Sequence, residues 1–175
     1  PMGLHLYLGD ITKMETDAIV NAANTDLKRA PGICEAIFAA SDGKALAQAC
    51  RKFGRCPVGY AVVTPSCGLP CKYIIHVAGP GWYGGVHREK DLLESCYLHA
   101  LQKALVYGCR SVAFPLIFSG ECHIPRPISI QVAAEAILDF LQFHELEVYL
   151  VLYKPGIYEM AKDILKLNGI ETLDA

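Results

Sequence analysis

The segment Ala18-Ile19-Val20-Asn21-Ala22-Ala23-Asn24 joins a short apolar, β-branched run to two asparagines that frame two alanines. The apolar run is typical of a buried strand. Asparagine carries one carbonyl acceptor and two amide hydrogens, and the small side chains of Ala22 and Ala23 let another molecule approach the backbone. One asparagine after a strand is explained by a turn. Two of them framing two alanines favour a ligand site.

The composition indicates a single compact domain over residues 1–175. Hydrophobic residues make up 53% and charged residues 19% of the chain. The net charge of −2 and the pI of about 6.3 give no general attraction to nucleic acid or to a membrane, so we expect neither as a partner. The first eight residues do not resemble a signal peptide. Prolines and glycines interrupt the longest uncharged run, residues 56–71, which argues against a transmembrane helix.

The chain has eight cysteines, but without a secretory signal they do not predict a disulfide framework. Cys50, Cys96 and Cys109 lie in apolar surroundings and are expected to be small buried residues. We therefore expect a reducing, cytoplasmic location.

The hydrophobic pattern predicts strands that alternate with helices. This order favours an α/β protein with three α/β/α layers around a mixed, largely parallel sheet. The predicted strands are 4–8, 17–22, 60–64, 73–77, 111–117 and 147–153, and the predicted helices are 33–40, 43–53, 88–107, 128–143 and 157–167. Phe53 is expected on the apolar face of the second helix, and Met160 on the inward face of the last.

The unusual loops all follow predicted strands. They are Gly9-Asp10, residues 21–24, residues 79–81, residues 119–123 and Tyr153-Lys154. In an open α/β sheet, ligands bind beyond the carboxyl ends of the strands, so several of these loops should line one crevice. Asp10 could accept from an exocyclic amine, the asparagines could bind ribose hydroxyls, and the backbone at Ser119-Gly120 could bind phosphate. Together these groups indicate a nucleotide-like ligand.

Five motifs follow one another along nearly the whole chain, at residues 9–12, 17–24, 72–80, 111–117 and 148–153. In this order they resemble the motifs of the macrodomain family of ADP-ribose-binding modules. The resemblance is closest to the bacterial branch related to macrodomains that hydrolyse ADP-ribosyl bonds. It implies binding of ADP-ribose, free or attached to protein. Two alternatives follow for the chemistry: metal-independent hydrolysis of mono-ADP-ribosyl or O-acetyl-ADP-ribose esters, or a reader module without turnover.

The resemblance also implies roles for individual residues. Asp10 would accept from the adenine amino group beside the Ile11 backbone, and Tyr153 would lie against the adenine. Asn24 would contact the distal ribose and, in an enzyme, position the sugar or the water. The remaining ligand contacts would come from Ala22 and from two loops, Gly32-Ile33-Cys34 in the first and Ser119-Gly120-Glu121-Cys122 in the second. His76 lies within a strand and is expected to be a hydrogen-bonded core histidine.

The first loop departs from the pattern of hydrolysing members, which is usually rich in glycine. Pro31 lacks an N–H to donate to phosphate, and Cys34 stands where many hydrolases carry an aspartate. The next residue, Glu35, is a candidate replacement acid or base, although it points about 100° away on a helix.

The second loop also departs from the usual pattern. Cys122 replaces an aromatic residue that would cover the ribose, and Glu121 would repel a pyrophosphate unless it turned outward. Cys34, Cys122 and His123 could form a zinc site if the two loops faced each other, but their spacing matches no zinc motif. We therefore predict no metal and no cofactor.

Overall fold

One mixed sheet forms the centre of the protein, which is represented by a computed structural model that describes residues 3–117 and 124–173. The spatial order of its strands is β1-β6-β5-β2-β4-β3, and all neighbouring pairs are parallel except β3 and β4. This confirms the predicted mixed, largely parallel sheet. The strands are β1 (Gly3–Leu8), β2 (Ala18–Ala23), β3 (Ala61–Pro65), β4 (Tyr73–Ala78), β5 (Ser111–Phe114) and β6 (Glu147–Leu152).

Helices cover both faces of the sheet. Consecutive strand residues point to opposite faces, and accordingly Ile74 packs in one apolar cluster while Ile75 packs in the other. The cluster around Ile74 includes α1 (Ile33–Ala40) and α2 (Gly43–Arg51). The cluster around Ile75 includes α3 (Glu89–Val106), α4 (Arg126–Leu141) and α5 (Pro155–Leu167). The predicted α/β/α layering is therefore confirmed.

Several predicted boundaries and two predicted core residues were wrong. β5 ends at Phe114 rather than Ile117, because Pro115 cannot donate to a ladder. α4 begins at Arg126, since the proline that follows occupies the first helical turn, where its missing N–H costs nothing. Phe53 lies beyond the end of α2, and both it and Met160 on α5 are exposed.

The described cysteines are all free thiols. Cys50, Cys96 and Cys109 are buried, as predicted. Within residues 3–117 and 124–173, no helix is long and apolar enough to cross a membrane.

The outer edge of β1 is partly covered by the C-terminal segment. The backbone N–H of Leu173 donates to the carbonyl of Leu4 over 2.8 Å, and Leu173 forms a parallel bridge with His5. The opposite edge of the sheet is β3, which ends at Pro65.

Candidate functional site

The loops predicted to bind a ligand emerge at one edge of the sheet. Strands β1, β6, β5, β2 and β4 are mutually parallel neighbours, so their carboxyl ends share that edge. Asp10 follows β1, Tyr153 follows β6, Asn24 follows β2, and Gly79 follows β4. The topology thus arranges the predicted site residues in a row.

Asp10 precedes a short 3-10 helix at Ile11–Lys13 and caps it. Its Oδ1 atom accepts from the backbone N–H of Thr12 at 2.9 Å and from the Thr12 hydroxyl at 2.7 Å. Its Oδ2 atom accepts no hydrogen bond from the described part of the chain, and the side chain is only partly buried. Asp10 therefore has one oxygen fixed and one available to a ligand. The Ile11 side chain is buried, so Ile11 can meet a ligand only through its backbone.

Tyr153 lies beside Asp10 because β1 and β6 remain paired one step beyond their last ladder residues. Leu8 is in register with Leu152, and the backbone N–H of Gly9 donates to the Leu152 carbonyl at 2.9 Å. The Tyr153 ring is 75% exposed. An exposed aromatic ring can cover a flat heterocycle, and a carboxylate that leaves the neighbouring strand can accept from the amine of that heterocycle.

Asn24 organises the loop that follows β2. Its Oδ1 atom accepts from the backbone N–H groups of Asp26 and Lys28, both at 3.1 Å, and its Nδ2 atom donates to the Lys28 carbonyl at 2.9 Å. One Nδ2 hydrogen remains for a ligand. The side chain is partly exposed, so Asn24 can shape its loop and still contact a ribose.

The first loop ends where α1 begins. Gly32 is the residue before the helix, and its φ of 90° explains why glycine stands there. No side chain caps this helix end. The backbone N–H groups of Ile33 and Cys34 have no intrahelical acceptors and suit an anion. Ala22 is partly buried within β2 itself.

Cys34 faces the interior. Its side chain is 2% exposed, and its Sγ atom lies 3.7 Å from the Lys28 carbonyl and 3.8 Å from Asn21 Nδ2. Burial raises the pKa of this thiol above its usual range. Cys34 is therefore a protonated thiol, and its backbone is the part that can meet a ligand.

Asn21 does not face the crevice, contrary to the interpretation that paired it with Asn24. It is 1% exposed, and its Nδ2 atom lies 3.0 Å from His76 Nδ1. On the other side of the imidazole, Nε2 lies 2.9 Å from Thr64 Oγ1, whose hydroxyl also bonds the Pro65 carbonyl. Asn21 can only donate through Nδ2, so His76 is neutral with its proton on Nε2. His76 is thus a hydrogen-bonded core histidine, as predicted.

Glu35 is exposed and forms a bidentate ion pair with Arg29, with distances of 2.5 and 2.6 Å. Hydrogen bonding from Arg29 lowers the pKa of Glu35 below its usual range. The Arg29 guanidinium also lies over the ring of Phe38 at 5.7 Å. This arrangement favours a structural role for Glu35 in holding Arg29, and the proposed role as an acid or base stays a prediction.

The second loop contains the remaining predicted contacts, Ser119, Gly120, Glu121 and Cys122. These residues and His123 lie outside the described residues, so their predicted roles stand as predictions. Among the residues that are described, no group of three or more His, Cys, Asp or Glu side chains is placed to hold a metal ion.

Two features were not anticipated from the sequence. The first is the ion pair between Arg29, in the first loop, and Glu35, in the first turn of α1. The two residues are six positions apart, which is not the i,i+3 or i,i+4 spacing of ion pairs within a helix. The second is the buried carboxylate of Glu89, which accepts from backbone N–H groups of the loop between β4 and α3. The consecutive Gly84 and Gly85 were the signal for a tightly folded loop there.

Comparisons with known proteins show the family of this chain. The sequence model of the Macro domain family matches residues 20–133. A protein of Citrobacter koseri named O-acetyl-ADP-ribose deacetylase is 42% identical over 174 residues, which is 96% of this chain and 98% of that protein. A Macro domain-containing protein of Methanosarcina mazei is 42% identical over 93% of this chain and 87% of its own length.

Solved structures show the same fold. The Oceanobacillus iheyensis macrodomain with ADP superposes with a TM-score of 0.87 and 31% identity, covering 93% of this chain and 90% of that one. The Trypanosoma brucei macrodomain in complex with ADP-ribose gives a TM-score of 0.82 and 28% identity, covering 93% of this chain and 68% of that one. The strand order and the two helix layers define a three-layer α/β/α protein with the macrodomain fold. The chain belongs to the Macro domain family.

Proposed function

We propose that this protein binds ADP-ribose along the carboxyl edge of its sheet, with the adenine between Asp10 and Tyr153 and the distal ribose beside Asn24. The order of these residues along the edge is the observation that carries the proposal. β1 and β2 are three strand spacings apart, or roughly 14 Å at about 4.8 Å per spacing. Such a row suits a ligand with two sugars joined by a diphosphate, and relatives with known structures hold ADP or ADP-ribose.

The diphosphate would lie between the two ends of this row. The backbone N–H groups at the start of α1 would donate to it, and the backbone of the second loop at Ser119 and Gly120 is the other proposed phosphate contact. Lys28 and Arg29 place positive charge on the adjoining loop, although Glu35 neutralises the charge of Arg29.

The same site supports hydrolysis of an ester on the distal ribose, such as O-acetyl-ADP-ribose or an ADP-ribosylated protein. Water adds across the ester, and the products are ADP-ribose and the free acid. The support is the near-complete overlap with relatives named for deacetylation. Asn24 would orient the sugar or the water, and the support is that one of its amide hydrogens is not used by the loop.

A second candidate is a reader of ADP-ribose that does not turn it over. It is favoured by the first loop, in which Cys34 is a buried, protonated thiol and the Glu35 carboxylate is engaged by Arg29. Neither side chain is positioned to activate a water. Asp10, Tyr153 and Asn24 would serve binding in both cases.

Calorimetric titration with ADP-ribose and with AMP tests the binding proposal. We expect ADP-ribose to bind more tightly than AMP, because AMP reaches only the adenine end of the row. Asp10→Ala should weaken ADP-ribose binding by about 1.5–3 kcal/mol, the range for a hydrogen bond to a charged group. A variant with the same affinity as the parent protein would show that the adenine lies elsewhere.

Initial rates on O-acetyl-ADP-ribose and on an ester-linked ADP-ribosylated protein separate the two candidates. If the protein is an enzyme, Asn24→Ala should lower the rate at least about tenfold, or roughly 1.4 kcal/mol of barrier. Asn24→Asp is the companion variant: it keeps Oδ1 as an acceptor for the backbone N–H groups of Asp26 and Lys28, but it replaces the amide donor, which also bonds the Lys28 carbonyl, with a charged oxygen. Absence of turnover by the parent protein on both substrates would leave the reader as the function.

A further inference from the structure

We propose that the exposed surface formed by Tyr83, Val86 and His87, hereafter the Tyr83 surface, binds the polypeptide segment to which ADP-ribose is attached. The inference rests on the proposed function and adds the partner that this part of the molecule recognises. The surface lies in the loop between β4 and α3.

The position of this loop follows from the strand register. β4 is the parallel neighbour of β2 on the side away from β5, and Ala23 is in register with Ala78. Asn24 and Gly79 therefore leave the sheet side by side. A ligand that runs from Asp10 to Asn24 points its distal ribose toward β4. A group joined to that ribose would then lie next to the loop that begins at Gly79, and this loop carries the Tyr83 surface.

The Glu89 side chain fixes the shape of this loop. The Glu89 side chain is 1% exposed, and its carboxylate accepts from the backbone N–H groups of Tyr83 at 3.1 Å, Gly85 at 2.7 Å and His87. Burial alone would raise the pKa of Glu89, but these bonds together outweigh it and lower the pKa. Glu89 is thus a charged clamp that preorganises the loop, which lowers the entropic cost of binding.

The interior side of the loop is anchored by Trp82. This ring is partly buried and packs against the apolar cluster beneath α3 and α4. Gly85 has a φ of 85°, and a Cβ there would approach the Trp82 ring to 3.2 Å, so the backbone lies directly on the indole. Because Trp82 is the side chain packed against the interior, Tyr83, Val86 and His87 are left exposed to solvent.

The outward side chains are apolar or aromatic. Tyr83 is 68% exposed and Val86 is 75% exposed, and the rings of Tyr83 and His87 meet edge to face at 5.6 Å. Exposed tyrosine on a rigid support is characteristic of protein-binding surfaces. Single-stranded nucleic acid would also require a run of unpaired cations. Next to this surface, Arg88 is paired with Asp91 at 3.1 Å and Lys90 is a single exposed cation, so the two do not make such a run. The surface therefore suits a polypeptide.

The experiment compares three ligands on four proteins by calorimetry. The ligands are free ADP-ribose, and a peptide and an oligonucleotide that each carry ADP-ribose through a non-hydrolysable link. The proteins are the parent, the double variant Tyr83→Ser/Val86→Ser, the single variant Tyr83→Phe, and Phe143→Ser as a matched control. Phe143 is 81% exposed and follows α4, close to the start of β6 and hence at the amino edge of the sheet.

We expect the parent protein and Phe143→Ser to bind the conjugate at least about fivefold more tightly than free ADP-ribose, the scale of a modest contact. The double variant should lose this preference while its affinity for free ADP-ribose stays the same. Tyr83→Phe, which keeps the ring, should retain most of the preference.

Three results would overturn the inference. The first is equal binding of conjugate and free ligand by the parent protein, and the second is an unchanged preference in the double variant. The third is a loss confined to an ADP-ribosylated oligonucleotide, which would assign the surface to nucleic acid. A parent protein that binds no ADP-ribose at all would instead refute the proposed function, and the inference with it.

Discussion

His76 should make the free energy of unfolding depend strongly on pH. Burial lowers the pKa of His76 from 6.5 to about 4 in the folded protein. In the unfolded chain the imidazole regains its ordinary pKa, so the unfolded state takes up a proton first as the pH falls. The stabilisation from the neutral imidazole is therefore complete above pH 6.5 and is lost progressively as the pH falls toward 4.

The size of this pH effect follows from the difference between the pKa of His76 in the unfolded chain and in the folded protein. A pKa difference of about 2.5, at about 1.36 kcal/mol for each pKa unit, lowers the free energy of unfolding by roughly 3 kcal/mol between pH 7 and pH 4. This is a large fraction of the 5–15 kcal/mol that is typical of a folded domain. Protonation would also turn Nδ1 into a donor facing the Asn21 amide, which cannot accept through Nδ2.

The assay is urea unfolding followed by circular dichroism from pH 7 to pH 4. Carboxylates titrate in the same range, so the parent protein must be compared with His76→Gln. Glutamine does not titrate, and it can accept from Asn21 and donate to Thr64. The parent should lose about 3 kcal/mol more than the variant over this range. Parallel pH profiles would refute a neutral, buried His76.

Three further outcomes follow from contacts described above. Glu35→Gln should change any hydrolysis rate less than about threefold, because the carboxylate is engaged by Arg29; a loss of more than about tenfold would restore Glu35 as an acid or base. Ile37→Ala should lower the free energy of unfolding by about 2–5 kcal/mol in urea titrations, since Ile37 is fully buried; a loss below about 1 kcal/mol would show a loosely packed α1. ADP-ribose affinity should survive a chelator, and loss of affinity together with stoichiometric zinc by elemental analysis would establish a metal site.

The fold was largely predictable because its strongest signals are local. A run of β-branched residues predicts a buried strand such as β2. Apolar residues at helical spacing predict a helix such as α3. Boundaries were less certain where one residue decides the end, as Pro115 does for β5. Exposure of Met160 could not be foreseen, because its position on α5 is apolar in pattern but lies outside the packed interface.

The site was predictable as a set of loops but not in its contacts. Asp10 and Tyr153 follow strands that pair, and the rule for parallel sheets brings them together. The direction of each asparagine was not predictable from spacing alone. Asn21 is the last but two residue of β2 and points to the face that carries His76, whereas Asn24 follows the strand and turns into its own loop. That difference depends on neighbours distant in sequence.

The contact between Leu173 and β1 has a consequence for how the protein behaves among copies of itself. A bare outer strand offers its backbone N–H and C=O groups as a template for another strand, which is the usual start of intermolecular sheet growth. On β1, the Leu4 carbonyl is already bound by the N–H of Leu173. On β3, Pro65 has no N–H that could pair with another strand. Removing residues 171–173, or replacing Leu173 with proline, should therefore promote oligomers and turbidity on mild heating before it affects ligand affinity.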